Sequence, residues 1–311
     1  MAIQFCAASA QSDAAPGKME EMIIDLHAHS DASDGTDSPA ELVRTAAAAD
    51  VGVLAITDHD TTGGWVEAAK ARPPLMTLIR GAEFSTQVTV DGRSASVHLL
   101  GYLFDAQDPV IVEEQARLKQ ERRRRGLAIV ERMVADGLPI SAEQVLGIAG
   151  NAPVGRPHIG RALVASGVVA SVDEAFATLL AGQAKYYVPK VDTDLGTAVR
   201  MISAAGGASV LAHPRGRGER RVLTPDFIGK LAVEGLAGLE VNHPDHDRAE
   251  RAELTEIATR HGLLGTGSSD YHGSNKQLRI GQESTALAVL TALIERTSGV
   301  TVPLGPVGRA R

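Results

Sequence analysis

The chain has 311 residues, a formal net charge of −7 and a single cysteine, Cys6. This length suits one large α/β domain with its own core. The negative charge argues against a broad electrostatic grip on a polyanion, so any phosphate chemistry must rely on local basic residues or bound cations. A single cysteine excludes an internal disulfide and a cysteine-rich zinc site, and it favours a reducing, cytoplasmic location.

The first 21 residues, MAIQFCAASAQSDAAPGKMEE, lack the basic start and the sustained apolar stretch of a secretion signal. We expect a flexible N-terminal extension over residues 1–21. No stretch approaches the roughly 20 apolar residues needed to cross a bilayer. We therefore expect no membrane partner, and the sequence gives no sign of an obligate protein partner.

From residue 22 onward, short β-branched runs alternate with helical patterns, the order that gives parallel strands joined by helices. About seven such βα-like units are predicted. The dipeptide Asp91-Gly92 favours a hairpin between two of the strands. Strands are predicted near 22–26, 53–57, 75–83, 87–90, 95–103, 208–211, 235–241 and 263–267. Helices are predicted from about Ser38, near 63–71, and from about Leu195, Pro225 and Asp247.

Residues from about 109 to 184 break this alternation, because they read almost wholly helical. We predict an inserted helical cap over 105–189, between two parts of a barrel at 22–104 and 190–300. A long charged helix of the cap contains the run QERRRRG. Four successive helical arginines spread around most of the circumference, so we expect residues 122–125 to form a solvated, charged face.

Histidines and acids follow the predicted strand ends. His27 and His29 are two residues apart at the end of the first strand, so their side chains share a face. The same residue types recur after the later strands and in the hairpin. Because the carboxyl ends of parallel barrel strands meet at one rim, these side chains are expected to converge. The nine candidates are His27, His29, Asp34, His59, Glu83, His98, His213, Asp270 and His272.

Three carboxylates packed beside six imidazoles predict a metal centre. Without cations, the buried charges would be poorly compensated, since desolvating ionised groups is costly. A nitrogen and oxygen ligand set without thiolate favours manganese, zinc or iron and does not decide among them. One ion takes three or four such ligands, so nine ligands suit three ions.

The segments HAHSDASDG, ITDHD, GAE, LAHP and SSDYH follow one another in the order of the motifs of the polymerase and histidinol phosphatase (PHP) family. On these residues, over roughly 22–282, the chain resembles that family. The resemblance implies an α/β fold, namely a distorted (β/α)7 TIM-like barrel that carries an inserted helical cap. It also implies a centre of three metal ions. Manganese is our first choice for these ions, and zinc and iron are the alternatives. The resemblance implies three ligand sets: His27, His29, Glu83 and Asp270; Glu83, His98 and His213; Asp34, His59 and His272.

Clustered cations suit phosphate ester hydrolysis, because they lower the pKa of a bound water and neutralise phosphoryl oxygens. We predict attack by a metal-bridging hydroxide. Asp60 is predicted to orient groups or accept a proton, the alternative being a turn residue that bonds its own backbone. Of the two histidines in EVNHPDHDR, His246 is predicted to donate a proton to the leaving oxygen, the alternative being a surface loop histidine.

Substrate anchors are predicted in two basic segments. Arg156 and His158 lie in GRPHIGR, where arginine matches phosphate geometry and a helix start favours anions. Arg215 and Arg217, in HPRGRGERR, are predicted to bind a second phosphate.

Because its helical insertion carries a GRPH segment, the chain resembles a group of enzymes that remove the 3′-phosphate of nucleoside 3′,5′-bisphosphates such as adenosine 3′,5′-bisphosphate. Some relatives in this group trim RNA from its 5′ end. The expected partner is a small phosphorylated nucleotide, because 3% aromatic residues leave few stacking platforms for a long strand. The alternatives are a 5′ to 3′ exoribonuclease acting on short RNA ends, a histidinol phosphate phosphatase, and a non-catalytic metal or nucleic-acid binding module.

Overall fold

The structure, a computed structural model, describes residues 22–90, 92–182, 184–216 and 222–306. The predicted extension at 1–21 lies outside these residues. The strands are β1 (Ile23–Asp25), β2 (Val51–Ile56), β3 (Thr77–Val90), β4 (Arg93–Tyr102), β5 (Thr193–Asp194), β6 (Ala208–Leu211), β7 (Leu236–Asn242) and β8 (Leu264–Gly267). The helices are α1 (Pro39–Ala48), α2 (Trp65–Ala71), α3 (Pro109–Ala135), α4 (Ala142–Ala149), α5 (Arg156–Ala165), α6 (Val172–Thr178), α7 (Leu195–Ala204), α8 (Pro225–Val233), α9 (Arg248–His261) and α10 (Leu287–Glu295).

Seven strands form a nearly closed barrel in the order β1-β2-β3-β4-β6-β7-β8. All neighbours are parallel except β4, which is antiparallel to both β3 and β6. Past the edge strands, Ala28 and Tyr271 form a parallel bridge, and the backbone N–H of His29 donates to the Tyr271 carbonyl at 2.8 Å. The predicted distorted α/β barrel is confirmed. Its distortion is the antiparallel β4, which replaces one of the expected βα units.

The start of α1 shows how local sequence fixes an element. The Ser38 hydroxyl accepts from the Glu41 backbone N–H at 3.2 Å, and the Glu41 carboxylate accepts from the Ser38 N–H at 2.9 Å. Pro39 takes the first helical position, where its missing N–H costs nothing. Leu42 and Val43 then face the barrel, fully buried. The helix predicted from about Ser38 is confirmed.

The β3-β4 hairpin is longer than predicted. β3 is one strand of 14 residues, paired with β4 without a break from Gly81↔Tyr102 to Val90↔Arg93. The predicted gap between 83 and 87 was wrong, because Phe84 and Thr86 take part in the ladder and the Thr86 hydroxyl also donates to the Val97 carbonyl at 2.7 Å. Gly92 has a positive φ of 73°, which suits the predicted turn, while Asp91 lies outside the described residues.

The four helices α3 to α6 occupy the segment predicted as a cap. Buried Ile111 and Leu118, in the first half of α3, belong to the main barrel core. Ile129 and Met133, near the end of the same helix, belong to a separate core shared with α4, α5 and α6. α3 therefore joins the cap to the barrel, and the cap limits at 105 and 189 stay a prediction. Within the described ranges, no helix is both long and apolar enough to span a membrane.

The solvated face expected for residues 122–125 was wrong for Arg122, which is 8% exposed. Its Nε donates to an Asp60 carboxylate oxygen, and its Nη2 donates to the Ser85 hydroxyl at 2.8 Å. Arg124 is exposed and pairs with Glu121 on the same helix. One arginine of the run faces the barrel because this side of α3 lies against β3.

Candidate metal centre

The nine predicted ligands meet in one cluster. Each has a carboxylate oxygen or ring nitrogen within 4 Å of another member. Eight of them are at most 7% exposed, and the His98 side chain is 18% exposed. His213 and Asp270 have positive φ values of 29° and 52°, an unfavourable backbone that is retained mostly where function demands it. That the nine side chains bind metal stays a prediction.

Glu83 lies at the centre of the cluster. One of its oxygens, Oε2, is 3.0–3.3 Å from nitrogens of three histidines, and the other, Oε1, is 2.9–3.2 Å from nitrogens of two more. The first three are His27, His29 and His59; the other two are His98 and His213. A carboxylate whose two oxygens face separate groups of imidazoles can bridge two ions.

Four ligand atoms converge on one point near His27. The Nε2 atoms of His27 and His29 are 3.0 Å apart, and the Oδ1 atom of Asp270 is 3.4 and 3.5 Å from them. With Oε2 of Glu83 they form a compact set. Tetrahedral ligands with bonds of about 2.1 Å lie about 3.4 Å apart. These residues therefore fit one divalent ion.

A further group surrounds Asp34. Its carboxylate oxygens lie 3.4 Å from His272 Nε2 and 3.7 Å from His59 Nε2. Asp34 Oδ1 is buried without a hydrogen-bond partner among the described residues. Such atoms are costly unless something binds them, and a cation does so. Burial lowers the pKa of His272 to about 4, which leaves the neutral imidazole that a metal requires.

Two of the histidines around Glu83, His27 and His29, differ from His59 and His272, whose pKa values burial lowers. Burial opposes a charge on His29, but Asp270 and Glu83 outweigh it and raise the pKa of His29 to about 9. Burial likewise opposes a charge on His27, yet Glu240 and Glu83 raise its pKa well above the ordinary value. Without cations, this part of the cluster keeps protons on its imidazoles.

Glu240, which is fully buried on β7, was not among the predicted site residues. Its Oε1 is 3.0 Å from His27 Nδ1, and its Oε2 accepts the His213 backbone N–H at 2.7 Å. The Ser268 hydroxyl donates to Oε1. A carboxylate on Nδ1 directs the Nε2 lone pair of His27 towards Glu83. The available signal was a glutamate inside the apolar strand LAGLEVN.

His243 also went unassigned, although it faces the cluster. It is fully buried, and its Nδ1 accepts the Asp245 backbone N–H at 3.1 Å. The ring proton of the neutral imidazole therefore lies on Nε2. That atom is 3.6 Å from Asp270 Oδ2.

His246 does not suit the predicted role of proton donor. Its Nδ1 is 3.0 Å from the Val241 carbonyl, and its Nε2 accepts the Arg215 backbone N–H at 3.3 Å. Both ring nitrogens are thus engaged by the backbone, and the ring braces the loop after β7. Of the two histidines in this loop, His243 is the one aimed at the predicted ligands.

Asp60 is engaged by other groups. Its carboxylate accepts the Ser85 backbone N–H at 2.6 Å, the Ser85 hydroxyl at 2.7 Å and the Arg122 Nε–H. Burial alone would raise the pKa of Asp60, but the charge of Arg122 holds it well below its usual range. These contacts do not favour Asp60 as a proton acceptor. Its predicted orienting role, next to His59, stays a prediction.

The GRPH segment of the cap reaches the Asp34 group. A Cβ atom on Gly155 would lie 3.6 Å from Asp34 Oδ2, so the backbone before α5 closely approaches this carboxylate. His158 is buried, and its Nδ1 accepts the Gly155 N–H at 2.9 Å. Arg156 lies on the cap, where it donates to the Leu180 carbonyl at 2.9 Å. The phosphate-binding role of Arg156 and His158 stays a prediction.

Arg215 does not suit the second-phosphate role. Its guanidinium donates to both carboxylate oxygens of Glu253, at 3.3 and 3.1 Å, and to the carbonyls of Pro214 and Leu223. Its side chain is 1% exposed. Arg215 therefore holds the segment after β6 against α9. Arg217 lies outside the described residues.

Known proteins share this architecture. A crystal structure described as a metal-dependent phosphoesterase from Bifidobacterium adolescentis has a TM-score of 0.81 at 34% identity and covers 92% of this chain and 98% of its own. A 5′-3′ exoribonuclease from Haemophilus influenzae is 35% identical over 254 residues, 80% of this chain and 89% of the relative. A 3′,5′-nucleoside bisphosphate phosphatase from Chromobacterium violaceum is 32% identical over 252 residues, with coverages of 80% and 87%.

A barrel of this kind with clustered histidines and acids at its rim defines a metal-dependent phosphoesterase. The profile of the PHP domain matches residues 25–135. Together with relatives above 30% identity over most of their length, this match shows that the chain belongs to the PHP family.

Proposed function

We propose that the protein is a phosphomonoesterase that removes the 3′-phosphate of nucleoside 3′,5′-bisphosphates, such as adenosine 3′,5′-bisphosphate, giving AMP and phosphate. The observation that carries the proposal is the single buried cluster of imidazoles and carboxylates around Glu83, with the GRPH segment of the cap beside it. The C. violaceum relative supports the substrate class. We also propose a cytoplasmic location, because a single cysteine suits a reducing compartment.

Three divalent ions, with manganese as first choice, would lower the pKa of a water molecule and neutralise phosphoryl oxygens. The chain's own residues hold the ligands in place for this chemistry. Glu83 bridges two ligand groups, Glu240 fixes the tautomer of His27, and the Arg122–Asp60 pair braces the loop that carries His59. The start of α5 lies over the Asp34 group, where it limits access of water.

A second candidate is the trimming of short RNA from its 5′ end. It is favoured by the identity with the H. influenzae exoribonuclease. A histidinol phosphate phosphatase would need an acidic site for the substrate amine, whereas Lys276 and the α5 residue Arg161 lie beside the cluster. A non-catalytic module is disfavoured because all nine side chains are gathered in one place.

The test is phosphate release by purified, manganese-loaded protein from four substrates. They are adenosine 3′,5′-bisphosphate, histidinol phosphate, AMP and a short 5′-phosphorylated RNA. We expect the bisphosphate to have the highest kcat/KM. If the RNA outcompetes the bisphosphate, the second candidate replaces the proposal. If metal binds and none of the four substrates turns over, both candidate activities are wrong.

Arg156→Ala is expected to lower turnover of the bisphosphate and to leave metal content unchanged. The reason is that its guanidinium is proposed to bind phosphate from the cap, away from the nine predicted ligands. Kinetics and metal analysis of the same preparation provide the measurement. Unchanged kinetics would remove Arg156 from the substrate site.

A further inference from the structure

A cleft of about 590 Å³ separates the cap helix α5 from the barrel segment after β8. It shares a wall with the candidate metal centre. The Asn275 side-chain amide donates to the Asp34 carbonyl at 2.6 Å, and the Lys276 ammonium contacts the Asp270 carboxylate. The cleft therefore begins directly beside two of the predicted ligands.

Arg161 forms the cap side of this cleft. It follows His158 by three residues on α5, so the two side chains share a helix face, and that face is turned to the Asp34 group. Arg161 is partly buried. Within the described ranges, its guanidinium forms neither a hydrogen bond nor an ion pair. A guanidinium carries five donors in a planar fork, a geometry that matches a phosphate group.

Other arginines of this region are committed elsewhere. The Arg215 guanidinium donates to Glu253 and to two backbone carbonyls, and the Arg122 guanidinium donates to Asp60 and Ser85. Neither guanidinium can reach a ligand without breaking a buried network. Arg215 therefore does not suit the second-phosphate role predicted for the segment after β6, and the role of Arg217 stays a prediction.

The charge of the cleft suits an anion. Arg161 and Lys276 supply two positive charges, and Lys276 has three N–H donors, of which Asp270 accepts one. The Thr36 and Ser274 hydroxyls also line the cleft, where Ser274 donates to Thr36 and Thr36 donates to Asp37. Asp173 supplies a single negative charge and is exposed at the edge.

We propose that this cleft binds a second phosphate group of the nucleotide substrate, through Arg161 and Lys276, while the scissile phosphate lies at the cluster around Glu83. This inference rests on the proposed function and names its second subsite. The bound phosphate has two sources, the 5′-phosphate of a mononucleotide or a phosphate of the neighbouring nucleotide in short RNA.

The kinetic test compares adenosine 3′,5′-bisphosphate with 3′-AMP, which lacks the second phosphate. Arg161→Ala should lower kcat/KM for the bisphosphate by about tenfold to a hundredfold, mainly through KM, because a charge-assisted hydrogen bond is lost. The value for 3′-AMP should stay the same, and Arg161→Lys should restore part of the loss. Arg123→Ala, an exposed arginine of α3, is the matched control. Equal losses on both substrates, or no loss on either, overturn the proposal.

Binding gives a test without turnover. Manganese-loaded protein in phosphate-free buffer is titrated with AMP and with adenosine. If the cleft binds the 5′-phosphate of a mononucleotide, AMP should bind more tightly and Arg161→Ala should abolish the difference. An undiminished preference for AMP in the variant, together with undiminished binding of a 5′-phosphorylated dinucleotide, overturns the proposal. A 5′-phosphorylated dinucleotide serves as the parallel ligand. If Arg161→Ala weakens the dinucleotide alone, the cleft phosphate comes from a neighbouring nucleotide.

The two ideas fail separately. If no bisphosphate is hydrolysed but the affinity for AMP still depends on Arg161, the proposed function is wrong and the phosphate-binding role of the cleft is supported. If bisphosphates are hydrolysed and Arg161→Ala changes neither kinetics nor binding, the phosphate-binding role of the cleft is wrong and the proposed function is supported.

Discussion

The Glu240 carboxylate orients residues from two distant parts of the chain. It binds the His27 ring and the His213 backbone, both of which belong to predicted ligands. Burial alone would raise the pKa of Glu240, but the neighbouring His27 lowers it to about 2, so the carboxylate is ionised near neutral pH. An ionised acceptor on Nδ1 fixes the tautomer of His27 and strengthens Nε2 as a ligand.

Glu240→Gln should weaken metal binding by about 10- to 100-fold, because the amide is a poorer acceptor for the imidazole N–H. Calorimetric titration of demetallated protein with Mn²⁺ measures this. The control is Glu256→Gln on the exposed face of α9, which should leave the titration unchanged. Equal affinities in the Glu240 variant and the unaltered protein would show that Glu240 does not orient the centre.

Site residues could be predicted where their position in the sequence indicates their role, and could not where the role depends on a distant contact. Ligands such as His27 and Asp270 could be predicted because each follows a strand, and barrel topology gathers strand ends. The role of Glu240 could not be predicted: a glutamate inside an apolar strand is unusual, but its partner His27 is 213 residues away and the strand does not show what the carboxylate contacts. The sequence could not decide between His246 and His243 as the proton donor, because it does not show which ring of a loop faces the site. The prediction of His246 was made without that information.

At the scale of elements, a buried ion pair connects α3 to the loop after β2, and a hydrogen bond of the same arginine connects α3 to β3. Arg122 reaches Asp60 and the Ser85 hydroxyl, all three nearly excluded from water. The sequence could not predict this contact, because four adjacent arginines look alike until the helix has a neighbour. Asp60, beside the predicted ligand His59, has a positive φ of 53°, and its backbone N–H donates to the Glu83 carbonyl at 3.0 Å.

Arg122→Met should destabilise the protein by about 3–5 kcal/mol near neutral pH, because it leaves the Asp60 carboxylate buried and unpaired. Since the pKa of Asp60 is lowered in the folded state, the stabilisation is present above about pH 4 and is lost as the pH falls below it. The difference between variant and unaltered protein should therefore shrink on acidification. Urea unfolding at several pH values measures it.

The comparison for this variant is Arg124→Met on the exposed side of the same helix. Its unfolding midpoint should not change, since exposed pairs contribute little. If both substitutions lower the midpoint equally, the buried pair has no special role.

The cap core should open independently of the barrel. Leu163 lies in the separate cap core, whereas Leu54 lies in the barrel core, and both are fully buried. Each change to alanine should cost about 2–5 kcal/mol locally. In hydrogen exchange, Leu163→Ala should speed exchange in α4 to α6, and Leu54→Ala should speed it in the barrel strands. Faster exchange everywhere in both variants would contradict two separate cores.

At the scale of the whole molecule, the barrel concentrates opposite charges from strands far apart in sequence. Two kinds of imidazole result. The pKa of His29 is raised to about 9 by nearby carboxylates in spite of burial, whereas burial lowers the pKa of His272 to about 4. The metal-free cluster therefore holds protons at His27 and His29 but not at His59 or His272. Cations must displace the protons on the histidines whose pKa is raised. They need not displace a proton at His272, because its imidazole is already neutral.

Mn²⁺ binding to demetallated protein should consequently release protons near neutral pH, and affinity should rise with pH until about pH 9, the pKa to which His29 is raised. Titration in buffers of different ionisation enthalpy measures the number released. That number should be smaller than the count of histidine ligands, because His272 is already neutral. A heat of binding that is the same in every buffer would mean that the carboxylates do not hold these protons, and the electrostatic account of the centre would have to be abandoned.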